Sequence, residues 1–288
     1  MKSYPKKANR DNGISREEKR RRILERVRER VKIAYESGDH PIIQAINAYN
    51  ELERLKGIIY ERLEEWYSIY YPEIKPGSAE AYARLISSVR TRDEATEELL
   101  TGIFGSYGTS VYKAIQHSNR KDPTEQEHDA LKGIAAIELR MSELQKSLEA
   151  YIEESARQRM PNITHLIDCK IAAELLGKAG SLERLALMPA STVQLLGAEK
   201  ALFKHIKYGG RPPKHGVLYK LPEINTAAKE ERGRIARIYA TKISIASRAD
   251  AFSKRFIADK LKSDLEAALK APHRHGARNE IRSNERKA

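Results

Sequence analysis

A seven-residue repeat of apolar side chains between residues 123 and 158 constrains the fold more than any other feature of this sequence. The repeat has two series offset by three residues, one of Ile134, Met141 and Leu148 and the other of Ile137, Leu144 and Tyr151. This spacing, with charged residues between, is typical of a long helix that packs against another helix. We therefore expect a coiled coil, whose partner is an earlier helix of this chain or the same helix of a second copy. The alternative is an ordinary amphipathic helix packed in a core.

A second long helix is predicted upstream, from about Pro41 to Tyr70, because apolar residues recur there every three or four positions. Proline is favoured in the first turn of a helix. Before it, Ser15 and Glu18 have the spacing of a capping box and predict a helix that runs to about Glu36.

The fold class that these patterns predict is all-α: a long-helix coiled-coil domain followed by a compact helical domain. Pro161-Asn162 marks the boundary between the two, and Asn162 is a candidate cap for the next helix. We expect a basic arm and lead-in helix over residues 1–38, the coiled-coil domain over 39–160, the compact domain over 161–271 and a disordered basic tail over 272–288.

Charge is distributed unevenly along the chain. The net charge is +13, which favours a polyanionic partner because each phosphate contact releases condensed counterions. The excess of Lys and Arg is concentrated in residues 1–32 and 193–248, whereas residues 33–192 are mildly acidic. A basic protein without a nucleic-acid partner is the alternative interpretation.

Several classes of protein are not supported by the sequence. No apolar run is long enough for a transmembrane helix, and no secretory signal follows the first basic residues. Cys169 is the only cysteine, and its apolar neighbours indicate a buried structural thiol in a cytoplasmic protein. No catalytic motif, metal-ligand spacing or cofactor motif occurs, so we expect no enzyme activity, metal or cofactor. We assign His273 and His275 to the tail rather than to a metal site.

The segment from Gly197 to Gly216 has the composition of a phosphate-binding surface. Gly197-Ala198-Glu199-Lys200 stands at a predicted helix start, where exposed amides attract phosphate. Lys200, Lys204 and Lys207 follow at helical spacing and share one face. The next loop carries three further basic residues, Arg211, Lys214 and His215. Tyr208, His205 and His215 are candidates for stacking on an unpaired base.

A second basic helix follows Glu231 and carries Arg234 and Arg237. Its isoleucines are expected to face the core. A basic helix of this kind is either a nucleic-acid contact or a solvated surface.

The same region strongly resembles the Nop domain, which is shared by the archaeal core protein of box C/D guide ribonucleoproteins and its nucleolar and spliceosomal relatives. The matching runs are Ala179–Leu182, Met188–Thr192, Gln194–Phe203, Pro213–Gly216 and Gly233–Arg248. Upstream, Ile42–Ile46 and Glu65–Ser68 resemble the two ends of the family's first long helix, so the resemblance covers about residues 40–260.

The resemblance implies a non-catalytic scaffold that binds a guide RNA at a kink-turn together with the small ribosomal-type protein already bound there. It also implies self-association through the coiled coil. The residues it suggests as RNA contacts are Lys200, Lys204, His205, Arg211, Lys214 and His215, with Arg234 and Arg237 as weaker candidates. The residues it places at the partner protein are Gln194, Gly197, Ala198 and Glu199. For Gln194, a core-facing role and an RNA contact are equally open.

One departure from the family pattern affects the expected partners. Family members carry an N-terminal domain that docks the methyltransferase fibrillarin, and residues 1–38 are too few to form it. Fibrillarin recruitment is therefore in doubt. A stand-alone Nop-domain RNA-processing protein that does not recruit fibrillarin is one alternative function. A structural coiled-coil assembly protein, whose basic charge is incidental, is the other.

Overall fold

The computed structural model describes residues 15–36, 38–72, 74–75 and 77–271. These residues form helices and connecting turns, with no strand among them, which confirms the all-α prediction. The predicted basic arm up to residue 14 and the predicted tail over 272–288, with its two histidines, lie outside the described residues.

The helices fall into two groups along the chain. The first group is α1 (Arg16–Glu36), α2 (Asp39–Tyr67), α3 (Ala79–Ser88), α4 (Glu97–Phe104), α5 (Gly108–His117) and α6 (Glu125–Arg159). The second is α7 (Pro161–Leu166), α8 (Cys169–Ala179), α9 (Leu182–Leu187), α10 (Ala190–Leu195), α11 (Glu199–Tyr208), α12 (Pro222–Asn225), α13 (Arg232–Arg248) and α14 (Ala258–Lys270).

The long helices agree with the sequence prediction to within a few residues. The α1 helix begins where expected, and the Ser15 hydroxyl accepts a 3.1 Å hydrogen bond from the Glu18 amide. The α2 helix begins at Asp39, directly after Gly38 in the left-handed conformation, and ends at Tyr67. The α6 helix begins with a capping box between Thr124 and Glu127, which satisfies two amides at its start.

The α2 and α6 helices pack against each other in antiparallel directions. Asp39 at the start of α2 bonds Arg159 at the end of α6, and Lys56 bonds Gln145 near the middle of both. Lys56 also lies 3.6 Å from Glu138, a carboxylate with no exposed surface. Burial raises the pKa of Glu138, against the opposing effect of Lys56.

Two hydrophobic cores lie along this helix pair. One core lies where α2 ends and α6 begins, and it joins the C-terminal part of α2 to α3, α4, α5 and the start of α6. The other joins the first turns of α2 and the last turns of α6 to α7–α10, α13 and α14. Ile46 and Ile152 are buried in this second core, so the helix pair is anchored in the compact helical part of the chain.

The two heptad series of α6 differ in burial: Ile134, Met141 and Leu148 are partly buried, and Ile134 and Leu148 pack against the two cores. Leu131, Ala135, Ile152 and Ala156 are the apolar residues of α6 that become fully buried. Ile137, Leu144 and Tyr151 keep 51%, 49% and 45% of their surface exposed. The series of Ile137, Leu144 and Tyr151 therefore lies outside the intrachain core, and the coiled coil stays a prediction.

The start of α7 is capped differently from the sequence prediction. Asn162 lies inside α7, and the carboxylate of Asp250 accepts hydrogen bonds from the amides of Asn162 and Ile163, each at 3.0 Å. Asp250 belongs to a single π-helical turn, Ala249–Ser253, that follows α13. Burial raises the pKa of Asp250, opposed by these hydrogen bonds and by Lys254.

Candidate nucleic-acid interface

The α11 helix stands out from the compact part of the chain, because none of its ten residues is buried. Lys200, Lys204 and Lys207 follow one face, as the spacing predicted, and all three are exposed. Phe203 and Ile206 lie on the neighbouring face and are 64% and 73% exposed. A short helix that exposes cations on one side and large apolar groups beside them is equipped to contact two kinds of surface at once.

The N-terminus of α11 is already occupied by a carboxylate of the chain. Glu199 turns back and accepts a 2.6 Å hydrogen bond from the Gly197 amide. Burial raises the pKa of Glu199, but the hydrogen bonds from the Gly197 and Glu199 amides and the charge of Lys178 together hold that pKa below its usual range. The amide of Gly197 is therefore not available to a phosphate, whereas Lys200, Lys204 and Lys207 along α11 are exposed.

Gln194 supports the basic loop from within the protein. Its side-chain amide donates to the Lys214 carbonyl at 2.7 Å and to the Gly233 carbonyl at 3.5 Å. Its own backbone carbonyl accepts from the Gly216 amide at 3.0 Å. Gln194 thus ties the end of α10 to the loop and to the first turn of α13. Of the two roles open for Gln194, a core-facing group or an RNA contact, these hydrogen bonds agree with the core-facing one.

Two glycines allow the loop to approach α10 closely. A Cβ atom on Gly216 would lie 1.9 Å from the Leu196 carbonyl oxygen, a distance that no side chain tolerates. Gly197 has φ +86°, and a Cβ there would meet Val217 at 2.7 Å. Both positions therefore require glycine, and the reason is the path of the backbone rather than flexibility.

The two histidines of this region have different surroundings. The Nδ1 atom of His205 lies 2.7 Å from the Gly210 carbonyl oxygen, which links the helix to the loop. The ring of His215 stacks on the ring of Tyr219, with the ring centroids 4.6 Å apart. The Arg232 guanidinium lies over Tyr219, 5.4 Å from its ring centroid. Burial, Arg232 and Lys214 lower the pKa of His215. At neutral pH it is therefore a neutral ring suited to stacking rather than a phosphate-binding cation.

Arg234 and Arg237, one turn apart on α13, differ in their contacts. Arg234 bonds Glu231 at 2.6 Å and donates to three carbonyls at the end of α14, those of Ala268, Leu269 and Ala271, at 3.3–3.5 Å. It satisfies helix-end carbonyls that would otherwise need water. Arg237 is exposed and makes no ion pair among the described residues. Of the two predicted contacts, Arg237 is exposed, whereas Arg234 binds the end of α14.

The predicted RNA contacts differ in their exposure. Lys200, Lys204, Arg211, Lys214 and Arg237 are exposed, His205 and His215 are partly buried beside them, and Arg234 lies behind. Among the predicted partner contacts, Gly197 and Glu199 are exposed and Ala198 is partly buried. The exposed Phe203 and Ile206 were not predicted. The sequence feature that could have indicated them is the presence of large apolar residues on a short, otherwise basic helix.

No group of His, Cys, Asp or Glu side chains within the described ranges is arranged to hold a metal ion. Burial raises the pKa of the Cys169 thiol, with Arg157 opposing it. Among the helices that the structure describes, none is both long and apolar enough to span a membrane.

A family model described as "Nop: snoRNA binding domain, fibrillarin" matches residues 48–271. The chain belongs to the Nop family. The match begins inside α2 and includes α11, so the helix pair and the basic surface both lie within the Nop family region.

Relatives in the Nop family come from archaea and eukaryotes. An uncharacterized NOP5 family protein of Methanocaldococcus jannaschii is 38% identical over 82% of this chain and 57% of its own length. Nucleolar protein 56 of Schizosaccharomyces pombe is 34% identical over 78% of this chain and 47% of its own length. The human nucleolar protein 56 is 33% identical over 84% of this chain and 42% of its own length. The chain thus spans about half the length of these relatives.

Among solved structures, a crystal structure of a fibrillarin/Nop5p complex is similar over 86% of this chain and 78% of the matched chain, with 22% identity and a TM-score of 0.49.

Proposed function

We propose that this protein is a non-catalytic scaffold of a box C/D-type ribonucleoprotein, which binds a kink-turn guide RNA together with its bound kink-turn protein. The observation that carries the proposal is that α11 exposes a row of lysines beside a row of apolar side chains. Lys200, Lys204 and Lys207 supply phosphate contacts, while Phe203 and Ile206 supply an apolar contact for the partner protein. The family description, which names small nucleolar RNA binding, supports the RNA half of this surface.

The loop after α11 extends the RNA contact. Arg211 and Lys214 add exposed cations, and the neutral His215 is already stacked on Tyr219, so a base can continue the stack at little cost in ordering. Gln194 holds this loop against α13, which fixes the position of the cations relative to each other. A prearranged basic surface loses less conformational entropy on binding.

Self-association is the second part of the proposal. Ile137, Leu144 and Tyr151 form an exposed apolar stripe along α6, and Leu55 and Ile58 of α2 are 45% and 50% exposed. Apolar groups at seven-residue spacing on the outside of a helix pair suit an identical pair in a second copy. Fibrillarin is not part of this proposal, because the chain spans only about half of its relatives.

The proposal is tested by electrophoretic mobility shift with a kink-turn guide RNA, in the presence and absence of the kink-turn-binding protein. The expected result is a supershift that forms only on the preassembled RNA–protein complex. Charge reversal at Lys200, Lys204 and Arg211 should abolish it. The matched control reverses three exposed lysines in the first group of helices and its connecting turns, Lys113, Lys121 and Lys132.

The alternative functions predict other results. A stand-alone RNA-processing protein would bind the RNA equally well without the kink-turn protein. A structural coiled-coil protein would give no shift in any condition. Either pattern would contradict the composite-surface proposal.

A further inference from the structure

The π-helical turn and the segment that joins it to α14 expose two phenyl rings. Phe252 and Phe256 keep 54% and 56% of their surface exposed. Two aromatic rings left in water within five residues are uncommon on a protein surface and indicate a contact that the isolated chain does not make.

The backbone of this segment is held in place by buried side chains. Asn162 donates to the Arg255 carbonyl at 2.9 Å and accepts from the Ile257 amide at 2.7 Å. Lys254 has φ 56°, and its amide donates to the Ala249 carbonyl at 2.8 Å. Among the described residues it is the one non-glycine residue with positive φ, a conformation that costs a side-chain-bearing residue energy. The exposed rings therefore project from a fixed loop.

Cations outnumber available carboxylates around the two rings. Lys254 and Arg255 stand between them and are exposed, and the Lys254 ammonium donates one hydrogen bond to the Asp250 carbonyl at 2.6 Å. The carboxylate of Asp250 is buried and already accepts three hydrogen bonds at the start of α7. Asp259 is exposed but lies 3.3 Å from His165, whose ring contacts Phe256 edge-on.

We propose that residues 252–256 form a second nucleic-acid contact, at which unpaired bases of single-stranded RNA stack on Phe252 and Phe256 while phosphates lie against Lys254 and Arg255. Aromatic rings interleaved with cations are the arrangement with which proteins bind single strands, because every base has a face that can stack. A surface on this chain that binds a protein would be a broader apolar face, with no cations between the rings. This inference rests on the proposed RNA-binding function and adds a separate site to it.

The first experiment measures local stacking with the full chain. Phe256→Trp places an indole in the loop, and a twelve-nucleotide oligouridine is added while tryptophan fluorescence is recorded. Trp66 is the only native tryptophan and lies in the other core, so the unchanged protein gives the background. The expected result is quenching in the variant beyond this background. No additional quenching at any oligouridine concentration overturns the proposal.

The second experiment removes the rings. Phe252→Ala and Phe256→Ala should each lower oligouridine affinity by roughly five- to a hundred-fold, the usual effect of removing one stacking ring. Both rings are exposed, so the variants are expected to stay folded. The control, Tyr107→Ala, removes an exposed ring from the turn between α4 and α5 and should leave the affinity unchanged.

The outcomes separate this site from the α11 surface. Charge reversal on α11 tests the proposed function on the kink-turn complex, and the loop variants test the present inference on oligouridine. If the double Phe→Ala variant keeps full oligouridine affinity, the inference is wrong while the proposed function stands. If that variant keeps oligouridine affinity but no longer binds the kink-turn protein, the loop is a protein contact and the inference is again wrong.

Discussion

Arg159, the last residue of α6, donates a 2.6 Å hydrogen bond to the carboxylate of Asp39, the first residue of α2. The same carboxylate accepts from the Leu182 amide at 2.9 Å, at the start of α9. With Asp39 only 2% exposed, one buried side chain joins the start of α2 and the end of α6 to α9, in the compact part of the chain that carries α11.

Replacing Asp39 should therefore destabilise the protein strongly. In Asp39→Ala, the Arg159 guanidinium and the Leu182 amide lose their partner in a largely buried place, which should cost about 3 kcal/mol of unfolding free energy. Urea denaturation followed by circular dichroism measures this loss. The comparison is Arg62→Ala, which breaks an exposed ion pair with Glu65 and should change the free energy of unfolding by less than about 1 kcal/mol. Equal effects of the two variants would contradict the junction role of Asp39.

Salt dependence should identify the phosphate contacts on α11. Lys200→Glu with Lys204→Glu should weaken binding to the kink-turn complex, and the slope of log affinity against log salt should decrease by about one unit for each phosphate that the variant no longer binds. Affinities are measured by fluorescence anisotropy between low and physiological salt. An unchanged slope, with Lys113→Glu and Lys132→Glu as the charge-matched control, would exclude these lysines from the RNA contact.

Arg234 and Arg237 should separate stability from binding. Arg234→Ala should lower the unfolding free energy by about 1–3 kcal/mol, because it leaves the carbonyls at the end of α14 without their donor. Arg237→Ala should leave stability unchanged and weaken RNA binding. Thermal melting and anisotropy on both variants are the measurements. The reverse pattern would show that the roles of these two arginines are exchanged.

His215 should make stability depend on pH. Burial, Arg232 and Lys214 lower the pKa of His215 in the folded protein, whereas the pKa of a histidine in the unfolded chain is near 6.5. The unfolded state then binds the proton first as pH falls, so the contribution of His215 to stability is present above about pH 6.5 and is lost on acidification through the folded pKa. Denaturation at pH 7.5 and pH 5.5 should show a larger loss for the unchanged protein than for His215→Phe, which keeps a ring on Tyr219. A loss of the same size in both would mean that His215 titrates normally.

The exposed stripe of α6 should govern the oligomeric state. Leu144→Asp should convert a dimer to a monomer, because a carboxylate at an apolar seam is desolvated without a partner. Sedimentation equilibrium gives the mass. Ile69→Asp changes an equally exposed apolar residue outside the stripe and should not alter it. A monomeric unchanged protein, or a dimeric Leu144→Asp variant, would refute self-association through this face.

Local patterns were sufficient to predict the helices of this chain. The apolar spacing of α2 and α6 located both helices within a few residues, since helical periodicity is a property of the sequence alone. The matching runs around α11 were sufficient to place the chain in the Nop family, and the lysine spacing on α11 was sufficient to predict a basic face.

Tertiary structure decided which side chains are available to a partner. Gln194, Arg234 and Arg237 all belong to polar patterns on helices, but only the packing of α14 against α13 makes Arg234 a structural residue. The heptad of α6 likewise predicts a helix but not its partner, and the structure leaves the series of Ile137, Leu144 and Tyr151 exposed. Phe252 and Phe256 would have been assigned to the core from their type. They are exposed on a backbone that Asn162 holds through bonds to the Asp250 carboxylate and the Arg255 carbonyl, 88 and 93 residues away in sequence. A sequence determines local periodicity, whereas burial depends on contacts between residues distant in the chain.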